Sequence, residues 1–291
     1  MMDFRVGLRR IGPGQPCFIM AEIGLAHDGS LTQAHAYIDA IKRAGADAAK
    51  FQCHLGDPTT EWRVVLGWQR NETRQEYWER TAFTAEEWHG IAAHCRDLGL
   101  EFVCSPFSAK SVPFLDGLVR MWKIPSGRVA DDALLSAVAA TGRPVLLSTG
   151  MSTYDDVQKA VNVFLGTGVK HVLMQCSSVY PCPPERIGLS SLKESWLTGD
   201  PSRGYPVGLS DHSGTIYPGI AAAALGCQVL EVHVCFSRDQ GGLDTAASVT
   251  TAELKQLVEG VRFVEAAMKP VDKDLEAQGL APMRRVFMGV A

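Results

Sequence analysis

The stretch Gly208-Leu-Ser-Asp-His212-Ser-Gly214, then Tyr217 to Gly226, then Gln228-Val-Leu-Glu-Val-His233, decides how the rest of the chain is read. Two short apolar runs each close on a histidine, and an Ala-rich, helix-compatible segment separates them. A strand, a helix and a second strand, with a histidine at the carboxyl end of each strand, is the pattern of neighbouring parallel strands in a barrel whose chemistry sits on that face. One histidine so placed is more often a satisfied structural residue. Two at equivalent strand ends leave two readings evenly open, a pair of structural residues or half of a ligand set for a divalent metal.

Outward from that stretch, the same unit recurs. Short apolar strands begin near Phe18, Ala48, Glu101, Met121, Pro144, His171, Pro206 and Gln228. Helix start signals follow most of them: Ser30-Leu-Thr-Gln, Thr84-Ala-Glu-Glu, Asp131-Asp132 and Thr153-Tyr-Asp-Asp. Eight β/α units in roughly 250 residues is the accounting of an α/β chain folded as a (β/α)8 TIM barrel. No Gly-x-Gly-x-x-Gly follows the first strand, which argues against a doubly wound open sheet. Phe4 to Ile11 and the turn at Gly12-Pro-Gly-Gln15 predict an N-terminal β-hairpin over residues 1–16. The expected organisation is one catalytic barrel over 1–269 and a tail over 270–291. Cys53 to Arg80, after the second strand, is long and polar yet carries Trp62, Trp68, Tyr77 and Trp78. It is expected to be a lid or acceptor-side wall, or else a surface or subunit contact.

Composition narrows the class. The 291 residues are 46% hydrophobic, enough for one large core. A net charge of −4 with no basic run speaks against a nucleic-acid partner or a polybasic membrane surface. No apolar run is long enough for a membrane span, and the N-terminus lacks a signal-peptide core. The eight cysteines are scattered without Cys-x-x-Cys spacing, as in a reduced, cytoplasmic protein.

Polar residues collect at the strand ends: Glu22, Lys50-Phe-Gln52, Ser105, Lys123-Ile-Pro-Ser126-Gly-Arg128, Ser148, Tyr180, Ser210 and the two histidines. A lysine closing an apolar strand is costly to bury unless it meets an anion. Two lysines among several hydroxyls therefore predict a phosphate or carboxylate cradle. A lysine Schiff base is the competing reading, but it leaves the histidine pair without a role.

The motifs Ala21-Glu-Ile-Gly-Leu-Ala-His-Asp-Gly29, Ala44-Gly-Ala-Asp-Ala-Ala-Lys-Phe-Gln52, Lys123-Ile-Pro-Ser-Gly127, Leu147-Ser-Thr-Gly-Met-Ser152, Cys176-Ser-Ser-Val-Tyr-Pro181 and Gly208-Leu-Ser-Asp-His212 together resemble the N-acetylneuraminate synthase family. The resemblance runs from about Phe4 to Lys269. It implies condensation of phosphoenolpyruvate with a sugar aldehyde to give a nonulosonic acid and phosphate. His212 and His233 would bind manganese or magnesium, with Glu22 beside the ion as an orienting or acid/base group. Lys50, Ser105, Lys123, Ser126, Ser148 and Ser210 would hold phosphoenolpyruvate. Gln52, Tyr180 and Asp244 would face the acceptor. A homodimer is also implied.

The sequence departs from the family in three places. Arg128 stands where the family has an acidic residue; it would select an anionic acceptor or swing out to solvent. Val232-His233 and Gly242-Leu-Asp-Thr245 replace a family segment with a second histidine. The family's C-terminal antifreeze-like domain, which contributes an arginine to the partner's site, is not in the sequence, which ends at Ala291 after a linker-like Pro282-Met-Arg-Arg-Val-Phe287. Two alternatives follow: a deoxy-sugar-acid synthase using an aldose phosphate, and a catalytically reduced homologue that binds a sugar or phosphoenolpyruvate as a partner protein.

Overall fold

Successive side chains of a strand point to opposite faces, so every second residue of a barrel strand faces the axis. The computed structural model, which describes residues 3–57, 63–65, 71–194 and 206–289 (the side chains of 63–65 and 71 excepted), turns this alternation into a polarity gradient. Eight parallel strands close on themselves: β3 (Phe18–Gly24), β4 (Ala48–Cys53), β7 (Glu101–Pro106), β8 (Trp122–Ile124), β9 (Val145–Ser148), β10 (His171–Cys176), β11 (Val207–Asp211) and β12 (Val229–Cys235). The β11–β12 ladder, with Gly208 beside Val229 and Ser210 beside Glu231, completes the ring. The (β/α)8 barrel expected from the sequence is therefore present.

Inside the ring the amino-terminal layers are apolar: Phe18, Met20, Ala48, Val103, Met121, Leu146, Val172, Met174 and Val229 form one buried cluster. Two residues further along the same inward faces stand Glu22, Lys50, Ser105, Lys123, Ser148 and Glu231, all buried. The N-terminal hairpin, β1 (Phe4–Val6) paired antiparallel with β2 (Arg9–Ile11), closes the apolar end. Phe4, Val6 and Ile11 join the interior cluster there. Access to the polar layer is thereby left to the carboxyl-terminal mouth.

A second, larger core lies between the barrel and its helices, with Ile38, Trp88, Leu135, Phe164 and Leu257 fully covered. Capping defines the helices. Ser30 caps α1 (Leu31–Ala44), and Gly45 ends it in the left-handed conformation at φ 85°. Reciprocal capping boxes start α3 (Ala85–Asp97) at Thr84 with Glu87 and α6 (Tyr154–Thr167) at Thr153 with Asp156. Asp131 caps α5 (Asp132–Ala140). Between them stands α4 (Ser111–Leu115), and α7 (Tyr217–Ala224) is the helix between the two histidine strands.

Cys53 to Arg80 differs from the loop expected. It holds a short antiparallel pair, β5 (Arg63–Val65) and β6 (Asn71–Thr73), and a helix, α2 (Arg74–Thr81). Thr73 and Glu76 form a complete capping box at its start, so the local signal was present in Thr-x-x-Glu. Trp62 and Trp68 lie outside the described residues. After β13 (Ser248–Thr250), the last barrel helix α8 runs Thr251–Ala267. Two short helices follow, α9 (Lys273–Gly279) and α10 (Ala281–Phe287), and neither buries a residue.

Candidate active site

Every residue singled out at the strand ends lines one cavity of about 440 Å³ at the carboxyl-terminal mouth. Its floor is a run of buried charges. Lys50 Nζ lies 2.7 Å from Glu22 Oε2 and 3.0 Å from Glu231 Oε1, and Lys123 Nζ lies 3.1 Å from Glu231 Oε2. Lys123 also donates to Ser148 Oγ at 2.7 Å. Strand pairing builds this cluster, since Glu22 sits beside both Lys50 and His233 in register. Burial alone would strip the Lys50 charge, but the carboxylates of Glu22 and Glu231 outweigh it and raise its pKa. Lys123 is lowered by burial and by the neighbouring Lys50 charge, with Glu231 opposing. Burial likewise disfavours the Glu231 carboxylate, yet Lys123 and Lys50 hold it well below the usual range.

Sequence reasoning passed over Glu231. It lies two residues before His233 on a buried strand, and the period of two places both on the inward face. That spacing was the available signal.

The hydroxyl rim carries an open acceptor and donor. Ser105 Oγ is fully buried and has no hydrogen-bond partner among the described residues. A Cβ built on Gly150 would come within 2.3 Å of Ser178 Oγ and 2.8 Å of Ser126 Oγ. A side chain there would have to push both hydroxyls aside, and glycine leaves them close around bare backbone. Ser126 Oγ also lies 3.2 Å from Cys176 Sγ.

The imidazoles stand 5.2 Å apart between ring centroids. His212 Nδ1 lies 2.9 Å from the Ser177 carbonyl, which can only accept, so this nitrogen carries the hydrogen. Its Nε2 is then free to accept, and Tyr180 Oη lies 2.9 Å away. His233 is kept toward its neutral form by burial, against the pull of Asp244, whose Oδ2 lies 3.6 Å from Nδ1. Among the described residues, no three His, Cys, Asp or Glu side chains converge into a closed metal-ligand set. Two imidazoles on an open cavity nonetheless fit an ion that leaves its other positions to substrate and water, as catalytic sites do.

One wall of the cavity comes from the segment after β4. Gln52 Nε2 donates to Glu22 Oε1 at 2.7 Å, and Gln52 Oε1 lies 3.1 Å from His54 Nε2. His54 Nδ1 lies 3.0 Å from Asp57 Oδ2, and the ring stacks on Trp78 at 4.6 Å and 8°. Burial lowers the His54 pKa, with Asp57 opposing. Arg128 is buried rather than swung out to solvent. Its guanidinium is paired with Asp57 and lies 3.8 Å from Asp131. The Arg128 charge is therefore matched by Asp57 from the segment after β4, and Arg128 is not a free cation. Tyr77 and Trp78, two of the aromatics singled out in the long segment, line the cavity, and His54, Asp57 and Arg74 line it without having been singled out.

Fold and site together describe a (β/α)8 barrel with two buried lysines and their carboxylate partners at its floor and two imidazoles at its rim. The NeuB family model matches residues 37–273, and the chain belongs to that family. It is 32% identical over 277 residues to the human N-acetylneuraminate-9-phosphate synthase, covering 92% of this chain and 75% of that protein. It is 30% identical over 291 residues to the N,N'-diacetyllegionaminic acid synthase of Legionella pneumophila, covering 94% and 81%. Among solved structures, the N-acetylneuraminic acid synthetase of Leptospira borgpetersenii, crystallised with citrate, superposes with a TM-score of 0.82 at 26% identity, covering 98% of each chain. The chain is accordingly a carbon–carbon bond-forming synthase.

Proposed function

We propose that this chain condenses phosphoenolpyruvate with an N-acetylmannosamine-like aldehyde, or an anionic analogue of one, consuming water and releasing a nonulosonic acid and phosphate. The carrying observation is the buried floor: Lys50 and Lys123, fixed by Glu22 and Glu231, beside the unpartnered Ser105 hydroxyl and the hydroxyls around Gly150. Such fixed donors stabilise charge without reorganising during reaction.

The two lysines already face two carboxylates. A phosphate of about −1.5 to −2 near neutral pH, joined to a carboxylate, therefore calls for further positive charge. His212 and His233 would hold a divalent ion, manganese or magnesium, for which the Nε2 lone pair on His212 is suited. When bound, it would supply Lewis-acid polarisation of the acceptor aldehyde. The protein groups do the remaining work. Lys50 and Lys123 hold the phosphate and carboxylate of phosphoenolpyruvate, and Ser105, Ser126, Ser148 and Ser210 donate to their oxygens. Gln52, Tyr180 and Asp244 orient the acceptor so that C3 of the enol meets its carbonyl carbon. Water adds at C2, and the tetrahedral product expels phosphate. Glu22, which touches Lys50 and Gln52, lies between the two substrates and can relay or hold a proton there.

The test is phosphate release from phosphoenolpyruvate across free and phosphorylated N-acetylhexosamines, with and without added manganese or magnesium. Acceptor-dependent, metal-stimulated release is expected. Release from no acceptor in either metal would overturn the proposal, and metal-independent turnover would remove the ion from it.

A further inference from the structure

We infer that the acceptor carries an anionic group remote from its aldehyde and that Arg74 selects it; this rests on the synthase reading above. Arg74 is the first residue of α2 and lines the cavity. Its guanidinium carbon lies 5.9 Å from the Trp78 ring centroid, on the face of a side chain whose ring stacks on His54. Among the described residues it has no carboxylate partner. The neighbouring acids are engaged elsewhere: Glu72 binds Arg80, Glu76 accepts from the Thr73 amide, Asp57 holds Arg128, and Asp244 faces His233.

The contact with Trp78, four residues on along the same helix, is the one local interaction that favours a cation here among the described residues. A positive charge in the first turn opposes the helix dipole, and the same charge would be favourable only at the other end. The placement costs helix stability and leaves a planar, fork-shaped donor with no carboxylate partner among the described residues, seated over Trp78 in the cavity lining and matched to a phosphate or carboxylate. The lysine floor serves phosphoenolpyruvate, and the imidazoles serve the aldehyde end. Arg74 stands apart from both, on the wall built by the segment after β4. Arg128, the cation that the sequence singled out, is already matched by Asp57 and does not compete for this role.

The experiment compares the metal-loaded wild-type chain with Arg74→Ala and Arg74→Lys on an N-acetylhexosamine, its 6-phosphate and its uronic-acid analogue. Wild type is expected to prefer one anionic acceptor, the phosphate and carboxylate arms distinguishing which. Arg74→Ala should lower the anionic-to-neutral ratio of kcat/KM about 10- to 100-fold, through acceptor KM rather than phosphoenolpyruvate KM. Lysine should recover part of the loss. A wild-type preference for the neutral sugar, or an equal loss on all three acceptors, would overturn the inference. Calorimetric binding of the sugar phosphate needs no turnover and separates the two readings. Anion binding that is lost in Arg74→Ala, together with no phosphate release in any mixture, would sink the synthase but keep the anion site. Binding unchanged in Arg74→Ala would sink the anion site alone.

Discussion

A single buried histidine sets an acid limit on this fold. His27 is fully covered, its ring 4.5 Å from that of Phe83, and its Nε2 has no hydrogen-bond partner among the described residues. Burial lowers its pKa to about 4. The unfolded chain, near 6.5, then binds the extra proton over the window between those values. Stability is therefore full above about pH 6.5 and falls as pH drops toward 4, by on the order of 3 kcal/mol. Urea unfolding at pH 7 and pH 4.5 should show this slope in wild type and a shallower one in His27→Gln, whose amide does not titrate there. Glu231 is the other residue with large leverage, because it holds two buried lysines. Glu231→Gln should cost about 3–5 kcal/mol in denaturant unfolding, since it leaves buried charge uncompensated. It should also abolish phosphate release, and a variant with wild-type stability would contradict the charge pairing described here.

At the scale of elements, α2 shows how a short helix positions a wall. It spans Arg74–Thr81, too few residues to be stable alone, so its capping box and its packing hold it in place. Thr73→Ala should remove about 1 kcal/mol of that support. Because Arg74, Tyr77 and Trp78 hang from this helix, the expected kinetic effect is a raised acceptor KM with a smaller change in phosphoenolpyruvate KM. A loss of kcat with both KM values unchanged would show that the helix serves the chemistry instead. The barrel strands act differently, as each carries its site residue on a rigid ladder. The hairpin β1–β2 is a third kind of element, one that touches only the apolar end.

For the whole molecule, that separation makes stability and activity divisible. Ile11 is fully buried against the interior cluster, so Ile11→Ala should cost about 2–5 kcal/mol by leaving a cavity. The site lies at the opposite end of the barrel. Specific activity at a temperature well below the unfolding midpoint should therefore stay near wild type, while the midpoint itself drops. Loss of activity in the folded variant would show that the plug and the mouth are mechanically coupled.

The barrel was legible in the sequence because its signals are local: apolar runs of strand length, helix caps at Ser30, Thr84, Asp131 and Thr153, and polar residues at strand ends. The lysines of the floor and the imidazoles of the rim were legible for the same reason, with Lys50, Lys123, His212 and His233 each closing an apolar run. Glu231 was readable only by combining strand period with the position of His233. Pairings between distant segments had no local signal. Asp57 on Arg128, His54 between Gln52 and Trp78, and an Arg74 with no carboxylate partner among the described residues depend on which strand neighbours which and on how the segment after β4 folds back. The sequence by itself determined the architecture and the kind of charge at its mouth, because strand period and capping are properties of a few adjacent residues. Only the tertiary structure decided which cation is already neutralised, because charge matching is settled by distance in space.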